Sequence, residues 1–213
     1  MFDGHGESSK TISSCTTIFP ELLRNTKQKE SEKDMFAAFT TVADRTRQNY
    51  DGSTALVTTL WNDGGICAAT LGDSTFLASL TPDGPLVSGP HHSVSTNGVE
   101  RRLATEERGG VFDGHYLMNP KTGLRVEVGR CFGDTDINAV LSTEPTIWQF
   151  HVGAGGWFVL MSDGVLDPGS SSYLAKRAVL RALIAQQVSV EEIATRFGHE
   201  SRDDASFILC RYS

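Results

Sequence analysis

Residues 55–80 read ALVTTLWNDGGICAATLGDSTFLASL, three apolar runs of strand length divided by turns. Ala55–Leu60, Gly65–Thr70 and Thr75–Leu80 are each too short for a helix and are bounded by Gly, Asp or Asn, so all three are expected as strands. Asn62-Asp63-Gly64-Gly65 reads as a hairpin turn, because Asp-Gly accepts the positive φ that such turns require. Pro82-Asp83-Gly84 closes the third run in the same way.

Three more runs of this kind follow, at Thr146–Val152, Trp157–Met161 and Ser206–Cys210. Helical spacing lies between the strand groups. Asp34–Asn49 sets Met35, Phe36, Phe39, Val42 and Ala43 on one face, with Asp34 as the expected cap. Ser172–Gln187 repeats the pattern with Val179, Leu180, Leu183 and Ile184. Ser189 followed by Glu192 opens a short helix through Phe197, which Gly198 ends. Strands in hairpins with helices between the groups predict an α+β fold with antiparallel sheets, not βαβ units.

The bulk numbers exclude several classes. The 213 residues suit one domain, 39% hydrophobic and 21% charged, which is ordinary for a globular chain. A net charge of −7 argues against nucleic acid or anionic membrane as partner. Four scattered cysteines (Cys15, Cys67, Cys131, Cys210) contain no C-x-x-C pair and point to free thiols in a reducing compartment. No apolar stretch reaches the roughly 20 residues of a membrane helix. The first residues read as neither a signal nor a transit peptide.

The aspartates carry the chemistry. Apolar runs empty into Asp-Gly or Gly-Asp at Phe2-Asp3-Gly4, Leu71-Gly72-Asp73 and Met161-Ser162-Asp163-Gly164, and Asp203-Asp204 precedes the last strand. A carboxylate at a strand end is held by the sheet yet can face a wet cleft. Several converging there would repel one another unless a cation neutralised them. Oxygen donors without Cys or His suit Mg²⁺ or Mn²⁺. Asp51-Gly52, Asp63-Gly64, Asp83-Gly84 and Asp113-Gly114-His115 read as turns only. No EF-hand spacing supports a calcium-binding structural domain.

In order, the fragments resemble the type 2C family of metal-dependent Ser/Thr protein phosphatases. They are Phe2-Asp3-Gly4-His5-Gly6, Asp51-Gly52-Ser53-Thr54-Ala55, Leu71-Gly72-Asp73-Ser74 and Glu100-Arg101-Arg102 leading to Gly109-Gly110-Val111. Gly129-Arg130-Cys131-Phe132-Gly133-Asp134, Glu144-Pro145, Ser162-Asp163-Gly164-Val165-Leu166-Asp167 and Ser201-Arg202-Asp203-Asp204-Ala205-Ser206 complete the series. The resemblance implies a four-layer α-β-β-α fold, a sandwich of two antiparallel β-sheets flanked by α-helices. It implies two Mn²⁺ or Mg²⁺ ions, with a third held more loosely. Asp3 would bridge two metals and the Gly4 carbonyl would add a ligand. Asp163 and Asp203 would complete one site, with Asp73 and Asp167 at the looser third. Shared water would become a hydroxide aimed at phosphorus, and His5 would protonate the departing Ser or Thr oxygen.

Departures accompany the match. The family carries strands before Phe-Asp-Gly-His-Gly that supply an acidic residue and a phosphate-gripping arginine, so the chain is expected to be a single domain, 1–213, shortened at its N-terminus with a sheet edge left unpaired. No residue here is assigned to the phosphate, and Arg130 is the nearest motif arginine. Asp204, Thr75 and Leu166 replace the usual Asn, Arg and Trp, and His91 replaces the Asp before His92. The resemblance implies a phosphoprotein substrate and a monomer in the cytoplasm or nucleus. A phosphatase-like regulatory protein of weak or no turnover is the alternative.

Overall fold

The computed structural model describes residues 1–6, 9–82, 84–166, 172–198 and 205–213. The elements run β1 (Gly4–His5), α1 (Lys10–Leu23), α2 (Ser31–Thr46), β2 (Gly52–Ser53), β3 (Ala55–Leu60), β4 (Gly65–Leu71), β5 (Thr75–Ser79) and β6 (Leu86–Ser88). They continue with α3 (Gly98–Arg102), β7 (Val111–Phe112), β8 (Leu117–Met118), β9 (Arg125–Val126), β10 (Phe132–Gly133), β11 (Thr146–His151), β12 (Trp157–Met161), α4 (Tyr173–Ala185), α5 (Val190–Gly198) and β13 (Phe207–Arg211). All six strands expected from the apolar runs form within a residue of their predicted ends, and β3 and β12 match them at both ends.

The described strands form four antiparallel sheets: two larger ones in the orders β11-β4-β3 and β13-β12-β5-β6, and two of short strands, β1-β2-β10 and β7-β8-β9. Side chains alternate across the two larger sheets, and both faces of their central strands are covered. From β3 and β4, Leu56, Ile66 and Ala68 face Phe76, Ala78, Phe158 and Leu160 of the second sheet. The intervening Val57, Cys67, Ala69 and Leu71 face α1 and α2. On the far side Leu77, Trp157, Val159 and Met161 pack under α4 and α5. The α-β-β-α layering explains why β4, β5 and β12 read as continuous apolar runs rather than as an alternation: each has a core on either side.

Some local expectations are corrected. Asp34 does not cap its helix, which starts at Ser31 after a 3₁₀ turn over Gln28–Glu30; Asp34 lies in the first turn, where a negative charge suits the helix dipole. Ser189 does cap α5, its Oγ accepting the Glu192 N–H at 3.2 Å. Helix α1 was not legible. Its sequence KTISSCTTIFPELL is rich in Ser and Thr and contains Pro20, yet Cys15, Ile18 and Phe19 are buried against α2 and the sheet.

Met1 to His5 run along the outer side of residues 52–56. Gly4 pairs with Ser53, and Leu56 exchanges hydrogen bonds with Met1 at 2.8 and 2.9 Å. Beyond Leu56 that side of β3 has no strand partner among the described residues. All four cysteines are free thiols; Cys15, Cys67 and Cys131 are buried and Cys210 is half-buried. Among the described residues no helix is long and apolar enough to cross a membrane.

Candidate active site

The strand register gathers aspartates at one end of the sandwich. Met161 of β12 pairs with Thr75 of β5. Asp163 follows that pair by two residues on one strand, and Asp73 precedes it by two on the other, so both leave the sheet side by side. Ser162 donates its N–H to the Ser206 carbonyl at 3.0 Å, and its Oγ accepts the Ser206 N–H at 3.0 Å. Asp3 reaches the same end because its carbonyl accepts the Thr54 N–H at 2.8 Å, while the Thr54 hydroxyl lies 3.3 Å from that of Ser74. Asp167, Asp203, Asp204 and Asp83 lie outside the described residues.

Asp73 is positioned by the peptide before it. The Gly72 N–H donates to His92 Nδ1 at 3.0 Å, and the His92 N–H donates to the Gly72 carbonyl at 2.7 Å. Because Nδ1 accepts, the neutral ring carries its proton on Nε2, which donates to Thr146 Oγ1 at 3.0 Å. Burial pushes the His92 pKa down to about 3, with the Arg130 and His91 charges adding. Gly72 has φ +104, and a Cβ there would strike the Thr54 side chain at 2.5 Å, so only glycine makes this turn. Burial, with the charges of Asp3 and Glu127, pushes the Asp73 carboxyl up to about 6.

His5 stands beside this group. Its Nε2 lies 2.5 Å from Asp134 Oδ2. Burial lowers the His5 pKa, but the bond to Asp134 and the charges of Asp134, Asp73 and Asp3 outweigh it and leave a net rise. The Cys131 thiol donates to the same Oδ2 at 3.1 Å. Gly52 of β2 lies against the pair, and a Cβ there would collide with both His5 Nε2 and Asp134 Oδ2. Asp134 has a left-handed backbone, φ +52, and donates its N–H to the Asp51 carbonyl at 3.1 Å.

Asp51-Gly52 is therefore more than the expected turn. Asp51 Oδ2 accepts the Thr11 N–H at 2.8 Å and the Asp51 carbonyl accepts the Thr11 hydroxyl at 2.9 Å, so a buried carboxylate caps α1 from another part of the chain. Asp113-Gly114-His115 is the turn it was expected to be, its carboxylate accepting the His115 and Tyr116 N–H groups. Arg130 does not point to a phosphate site. Its Nε meets both Glu100 carboxylate oxygens at 3.0 Å, its Nη2 also donates to Glu100, and its Nη1 donates to the Glu144 carbonyl at 2.8 Å.

Two donor sets can be compared for a cation. Among the described residues, only His5, Cys131 and Asp134 bring three ligand atoms within 4.8 Å of one another. The thiol of that set is held protonated, since burial and the Asp134 carboxylate raise its pKa well above the ordinary range. Asp3 and Asp73 offer oxygen only and are close enough that the first disfavours ionisation of the second, and Asp163 leaves the sheet at the same end. That chemistry fits a hard divalent ion, which would relieve the repulsion. Sequence reasoning missed Asp134, Cys131, His92 and Asp51. The signal for Asp134 was present, because Gly133-Asp134 repeats Gly72-Asp73.

Comparison with known proteins identifies the family. The family description "Protein phosphatase 2C" matches residues 1–205. Probable protein phosphatase 2C 9 of Arabidopsis thaliana is 29% identical over 164 residues, 76% of this chain and 56% of its own. Probable protein phosphatase 2C 17 of the same plant is 24% identical over 79% of this chain and 58% of its own, so the chain spans little more than half of either relative. Among solved structures, a sex-determining protein of C. elegans superposes with TM-score 0.70 at 21% identity, covering 98% of this chain and 54% of that one. A serine-threonine phosphatase 2C from Toxoplasma gondii gives 0.64 at 18% identity, covering 98% and 82%. With nearly its whole length matched in sequence and its two-sheet architecture matched in space, the chain belongs to the protein phosphatase 2C family.

Proposed function

We propose that the protein hydrolyses phosphoserine and phosphothreonine on other proteins, using Mn²⁺ or Mg²⁺ held by Asp3, the Gly4 carbonyl, Asp73, Asp163, Asp167 and Asp203. The observation that supports this reading most directly is the convergence of Asp3, Asp73 and Asp163 at one end of the sandwich with His5 beside them, close enough for Asp73 and Asp3 to raise its pKa. When bound, the ions supply positive charge that activates water and screens the phosphate. The carboxylates hold that charge in place, and His92 fixes the turn from which Asp73 projects. His5 delivers a proton to the departing Ser or Thr oxygen, a contribution of roughly 10²–10⁴-fold. Four free thiols support an intracellular, reducing setting.

Turnover of p-nitrophenyl phosphate with and without Mn²⁺, beside an Asp163→Asn variant, tests the proposal. Metal-dependent turnover lost in the variant supports it. Absence of turnover, with no rise in melting temperature on adding Mn²⁺, sinks it and leaves a phosphatase-like binding protein. The engagement of Arg130 by Glu100, which commits that guanidinium to an internal partner, favours this second reading.

A further inference from the structure

From the contact between Asp134 Oδ2 and His5 Nε2, we infer that Asp134 is the residue that positions the proposed acid, so that His5 meets substrate through Nδ1. This rests on the phosphatase reading above and deepens it. Asp134 Oδ2 occupies Nε2 at 2.5 Å, and a carboxylate only accepts, so Nε2 carries a proton. Nδ1 is the ring nitrogen left for the substrate. The carboxylate is built in rather than incidental. The Asp134 N–H is fixed on the Asp51 carbonyl, and the Asp134 carbonyl accepts the Ile137 and Asn138 N–H groups at 2.9 and 2.8 Å. The Cys131 thiol anchors Oδ2 from behind at 3.1 Å. Gly52 lacks the Cβ that would otherwise collide with both the ring and the carboxylate. Asp134 is 7% exposed, so solvent competes little for the carboxylate.

In the step, the phosphorus–oxygen bond breaks and its electron pair stays on the seryl or threonyl oxygen. That oxygen takes the Nδ1 proton as water adds to phosphorus. His5 enters as imidazolium and leaves neutral, with Nε2–H still donating to Asp134, and solvent returns the proton before the next turnover. The imidazolium carries a proton on each nitrogen, so the part of the carboxylate is to hold the ring with Nδ1 turned to the substrate and Nε2–H retained as the ring becomes neutral, as the carboxylate orients the imidazole of a Ser-His-Asp triad.

Asp134→Asn is the informative variant, because asparagine tolerates the left-handed backbone at this position. p-Nitrophenolate leaves readily without protonation, whereas a serine alkoxide does not. The variant is expected to lower the ratio of phosphoserine-peptide to p-nitrophenyl phosphate turnover at least about tenfold, part of the full general-acid contribution. Added to His5→Ala, it should lower that ratio no further. An equal fall with both substrates, or a further fall in the His5→Ala background, overturns the inference. A measurement that needs no turnover is the imidazole ¹⁵N spectrum of the metal-free protein, with His5 assigned by its absence in His5→Ala. Neutral His5 should be protonated on Nε2 in the unmodified protein, and a ring protonated on Nδ1 overturns the pairing. If the unmodified protein turns over neither substrate with Mn²⁺, the phosphatase reading and the acid role fall together, while the ¹⁵N shifts still decide the pairing.

Discussion

The His92 ring is neutral because both nitrogens are committed, Nδ1 to the Gly72 N–H and Nε2 to Thr146. Its folded pKa is about 3 against an ordinary 6.5. Below pH 6.5 the unfolded chain takes up a proton that the folded chain refuses. Stability therefore falls as pH drops from 6.5 towards 3, by up to about 1.4 kcal/mol per pH unit. His5 works in the opposite direction, since its raised pKa stabilises at low pH and the benefit is lost as pH climbs through the folded value. Urea midpoints across pH 4–7 should show a flatter acid slope for His92→Gln than for the unmodified protein. At Gly52, alanine would place a Cβ against both His5 and Asp134. Gly52→Ala is expected to cost about 1–3 kcal/mol in urea unfolding and to lower turnover of a phosphoserine peptide more than that of p-nitrophenyl phosphate. Neither role was legible locally. Asp51-Gly52 resembles any other Asp-Gly turn, because the partners that give it meaning lie 40 and about 80 residues away at Thr11 and Asp134.

Among the elements, α1 departs most from its sequence. Isolated Ser- and Thr-rich segments favour caps and turns, and Pro20 removes a hydrogen-bond donor inside the helix. Tertiary contacts override both, through Phe19 against Phe39 at a centroid distance of 4.8 Å and through Asp51 at the helix start. Asp51→Ala should therefore destabilise by about 2 kcal/mol, with amide exchange rising first in residues 10–14; equal exchange throughout the chain would argue against a local cap. The strands were readable for the converse reason. Cores on both faces demand unbroken apolar runs, and the turns between them demand Gly and Asp. The same logic exposed Asp3, Asp73 and Asp163 as candidates, since each follows an apolar run and borders a strand.

Across the whole molecule, a buried ion pair joins regions that the sheets do not. Glu100 of α3 holds Arg130, which precedes β10, and Arg130 also grips the loop before β11 through the Glu144 carbonyl. The pair is mostly enclosed, 4% and 15% exposed. Arg130→Ala would strand the Glu100 charge and is expected to cost about 3–5 kcal/mol, whereas Arg130→Met with Glu100→Leu should recover most of that loss. Chemical denaturation of the three proteins measures both. The buried thiols serve another end. Cys15, Cys67 and Cys131 are 0–2% exposed, the first two beneath the α1–α2 layer and the third beside Asp134. A brief maleimide pulse followed by peptide mass spectrometry would label each only when its own surroundings part. Native composition thus provides three internal clocks, and the order in which they run would reveal whether the helical roof or the floor of the cleft unlatches first.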